Sequence, residues 1–407
     1  MQNLKNKKVK NCLLCKNNKL KKIFSLGNLF ISNFVKKQNI NKGLKAPLSL
    51  QYCKNCTLIQ LSHIAPQEIM YKKFYWYKSG ITKTMRNELK DIYSAALKEI
   101  NLKKKDVVLD IGANDGTLLK YFKKKGLITI GCEPAKNLNN ELKKNCQFTI
   151  SDFWNKKNLN KILSKNKLNK PKIITAIGMF YDLEFPNKFI KDAADSLHDN
   201  GVFIAQLMCL NSMVKKNDLG NICHEHIEFY SHKSLIYLFE NNGLEIFKIE
   251  ENEVNGGSYR IFCRKYKNGS IKLKKEDVLK NILKFKRNIE LNRKKTVNFI
   301  KKEYSNGKKI FLYGASTKGN TVLQYYNLDK TYIPYAAERS KVKWGKYTIG
   351  TGIKIISENN ARKLNPDYFF VTPWGFIKEF VKREKSWLKG GGKFILPFPF
   401  FKLVKKP

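Results

Sequence analysis

The chain has 407 residues, 42% hydrophobic and 12% aromatic, which is enough for two or three packed domains and too apolar for a disordered segment. Its formal charge of +46 comes almost entirely from lysines scattered along the whole length. That distribution reads as compositional drift and not as the concentrated, arginine-bearing patch of a nucleic-acid reader. No apolar run approaches a membrane span, and Met1-Gln2-Asn3-Leu4-Lys5 carries no signal core, so we expect a cytoplasmic protein without membrane insertion.

Near the start, Cys12-Leu13-Leu14-Cys15 and Cys53-Lys54-Asn55-Cys56 form two C-x-x-C turns. Two such turns supply four thiolates, the donor set of a tetrahedral zinc site. All four positions are filled by protein, so the expected Zn2+ is structural and not catalytic. The spacer is longer than usual and predicts a small insertion. The five other cysteines (Cys132, Cys146, Cys209, Cys223, Cys263) are an odd set and are expected to be reduced thiols.

An aromatic segment, Tyr75-Trp76-Tyr77-Lys78-Ser79-Gly80, precedes a helical pattern from about Thr82 to Ile100. Strands are expected at Val107–Ile111, Ile128–Cys132, Phe148–Asp152, Ile173–Ile177 and Gly201–Gln206, with helices between them. This alternation implies a parallel, doubly wound α/β sheet whose ligands sit at the carboxyl ends of the strands. A lysine-rich stretch from about Ser270 to Glu303, with Val278, Ile282, Leu283, Phe285 and Ile289 at helical spacing, reads as a long connecting helix. A second α/β unit follows, with strands at Lys309–Tyr313, Ile333–Ala337, Tyr368–Val371 and Phe394–Leu396. The expected division is 1–70, a zinc module; 71–268, a first Rossmann-like domain; 269–305, the helix; and 306–407, a second Rossmann-like domain.

The first loop reads Asp110-x-Gly112-x-x-Asp115-Gly116 and is not the dinucleotide G-x-G-x-x-G pattern. A carboxylate leading the loop would repel a pyrophosphate but suits the cationic S-adenosylmethionine. Glu133, ending the next strand, is then the ribose anchor, and Asp152 with Phe153 an adenine contact. In the second loop, Gly314 to Asn320, Lys318 and the backbone amides suggest an anion such as a phosphate, with a purely structural loop left open.

Three roles are open to the run Cys223-His224-Glu225-His226: a metal, a buried structural pair, or proton transfer. On a strand the two histidines would share a face and Glu225 would point away. A metal would need a third ligand. Proton transfer is favoured because imidazole titrates near neutral pH and a neighbouring carboxylate can tune it. Oxygen methylation needs a base for a hydroxyl; carbon methylation alpha to a ketone needs a base and a stabiliser for the enolate oxygen.

Taken in order, these motifs resemble the three-domain sugar-nucleotide C-methyltransferases of deoxysugar and polysaccharide biosynthesis. The matching residues are Cys12, Cys15, Cys53 and Cys56, then Tyr75 to Gly80, Leu109-Asp110-Ile111-Gly112-x-x-Asp115-Gly116, His224-Glu225-His226 and Asn255-Gly256-Gly257-Ser258. In the C-terminal region they are Tyr313-Gly314-Ala315-x-x-Lys318-Gly319-Asn320, Pro366-Asp367-Tyr368, Pro373-Trp374 and Gly391 to Pro397. The resemblance implies a central class I methyltransferase domain, S-adenosylmethionine as donor, and a nucleotide-linked 4-keto sugar as acceptor. It implies His226 as the base, with Glu225, His224 and Tyr77 in the catalytic set. Tyr181, in a loop where the family often carries a histidine, would donate to the ketone oxygen. The donor set would comprise Tyr75, Asp110, Gly112, Asn114, Asp115, Gly116, Glu133, Asp152, Phe153 and Gly178. Ser316, Thr317, Lys318 and Asn320 would meet the acceptor. A sugar O-methyltransferase and, further off, an RNA or DNA methyltransferase are the alternatives.

Overall fold

The computed structural model describes residues 6–72, 75–273 and 275–405. Its largest core runs continuously from the N-terminal module through a seven-stranded sheet to the C-terminal sheet. Three runs without a polar alternation, Val107–Ile111, Ile173–Ile177 and Val202–Met208, have nearly every residue buried, as befits strands covered on both faces. The sheet order is Phe148–Ile150, Ile128–Cys132, Val107–Ile111, Ile173–Ile177, Val202–Met208, Ser258–Lys265, Leu244–Asn252. The first five are parallel, and Ser258–Lys265 runs antiparallel to both of its neighbours. Strand order reverses between Val107–Ile111 and Ile173–Ile177, which opens a crevice beyond their carboxyl ends. The helix Lys83–Glu99 starts where Thr82 caps the Met85 amide, and it buries Met85, Leu89, Ile92 and Ala96.

A second sheet has eight strands in the order Lys402–Val404, Lys393–Leu396, Tyr368–Val371, Ile310–Tyr313, Tyr335–Glu338, Lys354–Ser357, Tyr347–Thr348, Phe34–Val35. The connecting helix is shorter than expected. It runs Val278–Ser305, because the Asp277 side chain accepts from the Lys280 amide and sets the first turn there. Its inward stripe is Val278, Ile282, Phe285, Ile289, Asn292, Thr296 and Ile300, whereas Leu283 falls on the solvent side at 41% exposure. The strand expected to reach Asp152 ends at Ile150.

The N-terminal module contributes three strands to a four-stranded antiparallel sheet, and it is woven into both larger units. The insertion between the cysteine pairs forms a long hairpin, Leu20–Phe30 with Lys45–Cys53. Its tip strand, Phe34–Val35, adds to the edge of the C-terminal sheet beside Tyr347–Thr348. On the other side, Glu228–Phe229, just after His226, pairs with Ile59–Leu61, just after Cys56. The cysteine module therefore braces the segment that carries the histidines.

Candidate active site

A cavity of about 570 Å³ opens at the carboxyl ends of the seven-stranded sheet, within the usual range for small-ligand sites. The central sheet forms its floor. Tyr71, Tyr75 and Tyr77 form one wall, and Ser316 to Lys318 with Thr372 to Phe376 close the other. Among the charged side chains lining it are seven carboxyls (Asp110, Glu133, Asp182, Glu184, Asp192, Asp218, Glu225) and two lysines (Lys188, Lys318). Burial raises four of these carboxyls, Asp110, Glu133, Asp182 and Asp218, toward their neutral forms, so the lining is rich in acids without being uniformly charged.

At one end, Asp110 ends its strand. Burial pushes its carboxyl up to about 7, while the hydrogen bond from Thr175 Oγ1 (2.6 Å) pulls the other way. Gly112 has φ +75°, and a Cβ there would stand 2.6 Å from Met179 Cγ. Only glycine lets the chain turn this sharply against the cavity floor. Glu133 accepts from the amides of Asn114 (2.9 Å) and Ala135 (2.8 Å), which ties the loop to the end of the next strand. Burial raises its carboxyl and those two amides lower it. Asn114 reaches back to the aromatic segment, accepting from the Ser79 amide at 2.9 Å and donating to the Tyr77 carbonyl. Tyr75, Phe153 and Gly178 also line this end, and Tyr77 stands at the mouth, 44% exposed.

Three residues expected to touch the donor do not line the cavity. Asp115 spends its oxygens on the Gly80 amide and on the Thr117 amide and hydroxyl. Gly116 is the left-handed residue before the helix Thr117–Lys124. Asp152 accepts from the Phe153 amide and faces Lys72 at 3.8 Å, outside the site. These residues shape the loops that present the lining groups.

The histidine run is a turn, not a strand, with the His226 amide bonded to the Cys223 carbonyl at 3.2 Å. The two imidazoles consequently part company. His224 turns away from the cavity, and its Nε2 bonds the Ala46 carbonyl at 3.0 Å in the N-terminal module. His224, expected in the catalytic set, therefore does not line the cavity. His226 lines the cavity with its edge against the Tyr181 ring, centroids 4.5 Å apart. Its Nδ1 lies 2.7 Å from the Asn221 carbonyl. A carbonyl can only accept, so Nδ1 carries the proton and Nε2 keeps its lone pair. Burial, reinforced by the Lys318 charge, pushes the imidazole well below its usual range, so the ring is neutral at pH 7.

Lys318 does not extend freely toward an anion. Ser316 caps the helix Thr317–Tyr326, which aims Lys318 Nζ at Asn221 Oδ1, 2.9 Å away. Asn221 Nδ2 in turn donates to Asp218 at 3.1 Å. Asp218 is pushed up to about 6 by burial, against the pull of Lys318. Ser316 and Thr317 line the cavity. Asn320 does not; it is fully buried, bonded to the Ile349 carbonyl and to Thr351, and supports the helix from behind.

The sequence reading did not single out Tyr71, Asp182, Asp218 or Asn221. Asn221 lies five residues before His226, and Asp182 directly follows Tyr181. The only signal in the chain was proximity to those two residues.

The four paired cysteines do converge. Their sulfurs all lie within 4.8 Å of one another, with Cys12 to Cys56 at 3.4 Å and Cys15 to Cys53 at 3.5 Å. Tetrahedral Zn–S bonds of about 2.3 Å put sulfurs about 3.8 Å apart, so the set fits a zinc ion. Three are buried and no fourth position is open to substrate, so the ion's chemistry there is structural.

The chain matches three families in succession: a zinc binding domain over residues 12–71, a methyltransferase domain over 81–249, and a C-methyltransferase C-terminal domain over 253–399. It is 25% identical to the C-methyltransferase NovU of Streptomyces niveus over 365 residues, spanning 87% of this chain and 86% of that protein. Among solved structures it resembles magnesium protoporphyrin IX methyltransferase from Synechocystis PCC 6803 with bound SAM. That match has 11% identity and TM-score 0.33, and it covers 44% of this chain and 79% of that one. It also resembles an S-adenosylmethionine-dependent methyltransferase from Clostridium acetobutylicum ATCC 824, with 13% identity, TM-score 0.35, and coverage of 46% and 94%.

Proposed function

Because the chain belongs to the three-module S-adenosylmethionine-dependent C-methyltransferases, we propose that it methylates the carbon alpha to the ketone of a nucleotide-linked 4-keto sugar, with His226 as the base. The observation that carries this reading is the tautomer of His226. With Nδ1–H held by the Asn221 carbonyl at 2.7 Å, Nε2 is the free basic nitrogen of a side chain that lines the cavity.

The donor's sulfonium supplies an electrophilic methyl group. Asp110 and Glu133 line its end of the cavity, and the Gly112 turn lets its nucleoside approach the backbone. His226 Nε2 removes the proton alpha to the ketone. The Tyr181 hydroxyl, which burial keeps protonated, donates to the oxygen that gains charge. The enolate carbon then attacks the methyl group, the carbon–sulfur bond breaks toward sulfur, and the ketone re-forms. The imidazolium finally returns its proton to solvent. Lys318 disfavours that imidazolium and so helps restore the base. The adjoining Ser316 and Thr317 at the opposite wall are suited to the acceptor's diphosphate.

The test uses a panel of nucleotide-linked keto sugars in deuterated buffer. Exchange of the alpha proton and a new carbon-bound methyl group are expected. His226→Asn should lose both while still binding S-adenosylhomocysteine. A methyl ether product, or full turnover by His226→Asn, refutes the assignment.

A further inference from the structure

Among the described residues, three that line the cavity carry a buried side-chain atom without a hydrogen-bond partner: Trp154 Nε1, Thr372 Oγ1 and Asp182 Oδ1, the last the one that belongs to an ionisable group. Asp182 is only 8% exposed and belongs to the short 3-10 turn Phe180–Asp182, beside Tyr181. Its backbone is fixed at both ends, with its amide on the Met179 carbonyl (3.1 Å) and its carbonyl taking a bond from Gln67 Nε2 (2.7 Å). The Tyr71 hydroxyl, which donates to the Glu225 carbonyl at 3.2 Å, stands beside its carboxyl group and lowers it. A rigid carboxyl with one unpaired oxygen at a ligand cavity is costly unless a ligand completes it.

We propose that Asp182 is a second catalytic hydrogen-bond donor, which with Tyr181 forms a two-donor site for the ketone oxygen as it becomes an enolate. This rests on the ketone chemistry proposed above. Asp182 must then carry its proton, and its surroundings hold it there. Burial is the largest cause, and Glu225 on the facing turn adds to it; the Tyr71 hydroxyl and Lys318 oppose. Burial, and after it the Asp182 charge, pushes the neighbouring Glu228 carboxyl up. Tyr75, Tyr181 and the Cys223 thiol are neighbours that burial keeps uncharged. Charge builds on the oxygen only as the alpha proton leaves, so a neutral acid there favours the transition state over the ground state. The Asp182 proton is shared with the enolate oxygen and kept when the carbonyl re-forms. The proton that leaves the substrate is the one taken by His226.

The experiment compares the full-length zinc-loaded protein with Asp182→Asn and Asp182→Ala. Infrared difference spectra of wild type minus Asp182→Asn at neutral pH should show the carbonyl stretch of a protonated carboxylic acid; carboxylate bands alone overturn the proposal. With dTDP- and GDP-linked 4-keto-6-deoxyhexoses, Asp182→Ala should lose roughly 100-fold in kcat and in alpha-proton exchange, with S-adenosylhomocysteine affinity unchanged. Asp182→Asn keeps an N–H donor but cannot ionise, so it should retain more activity and lack the wild-type alkaline limb. Wild-type kcat in Asp182→Ala, or an alkaline limb surviving in Asp182→Asn, overturns the proposal. Exchange abolished by His226→Asn but untouched in Asp182→Ala refutes this inference alone. No exchange by wild type with any ketone refutes both readings.

Discussion

Removing the Lys318 charge should strengthen His226 as a proton acceptor. Asn221 spans the two groups, holding Lys318 Nζ at 2.9 Å on its side-chain oxygen and His226 Nδ1 at 2.7 Å on its backbone oxygen. Two unit charges roughly 6 Å apart interact by about 3 kcal/mol at an effective dielectric of about 20, and by half that at about 40. That is a factor of about 10 to 100 in the imidazole's proton affinity. The active base is neutral, and its protonation is disfavoured in the folded protein, so the acidic limb of wild-type kcat should lie below the usual histidine range. Lys318→Met relieves the repulsion, so the limb should move to higher pH. Lys318→Arg keeps the charge and should leave it in place. Asp182 and Asp218 border the same cavity and are held down by the same lysine, so Lys318→Met should raise both carboxyls as well, while Lys318→Arg leaves them in place. The assay is the pH dependence of kcat at saturating acceptor, paired with an NMR titration of the His226 ring, which also reads the shift without substrate. A limb and a titration that do not move, or that move to lower pH, would refute the coupling of Lys318 to the base.

Other outcomes follow from the same structure. His224→Ala should leave the Ala46 carbonyl unpaired in a buried place and lower stability by about 1–3 kcal/mol in urea unfolding, with kcat retained. A collapse of kcat in a folded His224→Ala protein would return that residue to the chemistry. Elemental analysis should find one zinc per chain, lost in Cys53→Ser/Cys56→Ser. That variant should also lose turnover, because the strand after Cys56 holds the strand after His226. Gly112→Ala forces a side chain onto a backbone at φ +75° and into Met179, so S-adenosylhomocysteine affinity by calorimetry should fall about tenfold, roughly 1.4 kcal/mol. Unchanged affinity would mean that the donor does not use this turn.

Much of the architecture was legible because it is written in short-range pattern. Buried strands such as Ile173–Ile177 are continuous apolar runs, and the C-x-x-C turns and the glycine loop after Asp110 are fixed by neighbours in the chain. Where a local rule competes, boundaries slip by several residues, as at Asp277, which starts the long helix later than its lysine-rich approach suggests.

The site was legible only in part. Residue type and order pointed to the His224-Glu225-His226 run, Gly112, Glu133 and the four cysteines. They could not separate His224 from His226, two residues apart in one motif. That depends on a turn pinned from outside: the Ile227 amide on the Tyr181 carbonyl, the Ile227 carbonyl on the Leu61 amide, and His224 on Ala46. Nor could the sequence tell that Asp115 and Asn320 would spend their polar atoms inside the protein, or that Lys318 would reach Asn221 from 97 positions away. Which residue types stand near which in the chain was determined by the sequence alone. Which of their donors and acceptors stay free for a substrate was decided by contacts between distant segments, because every buried polar group must find its partner wherever folding brings one.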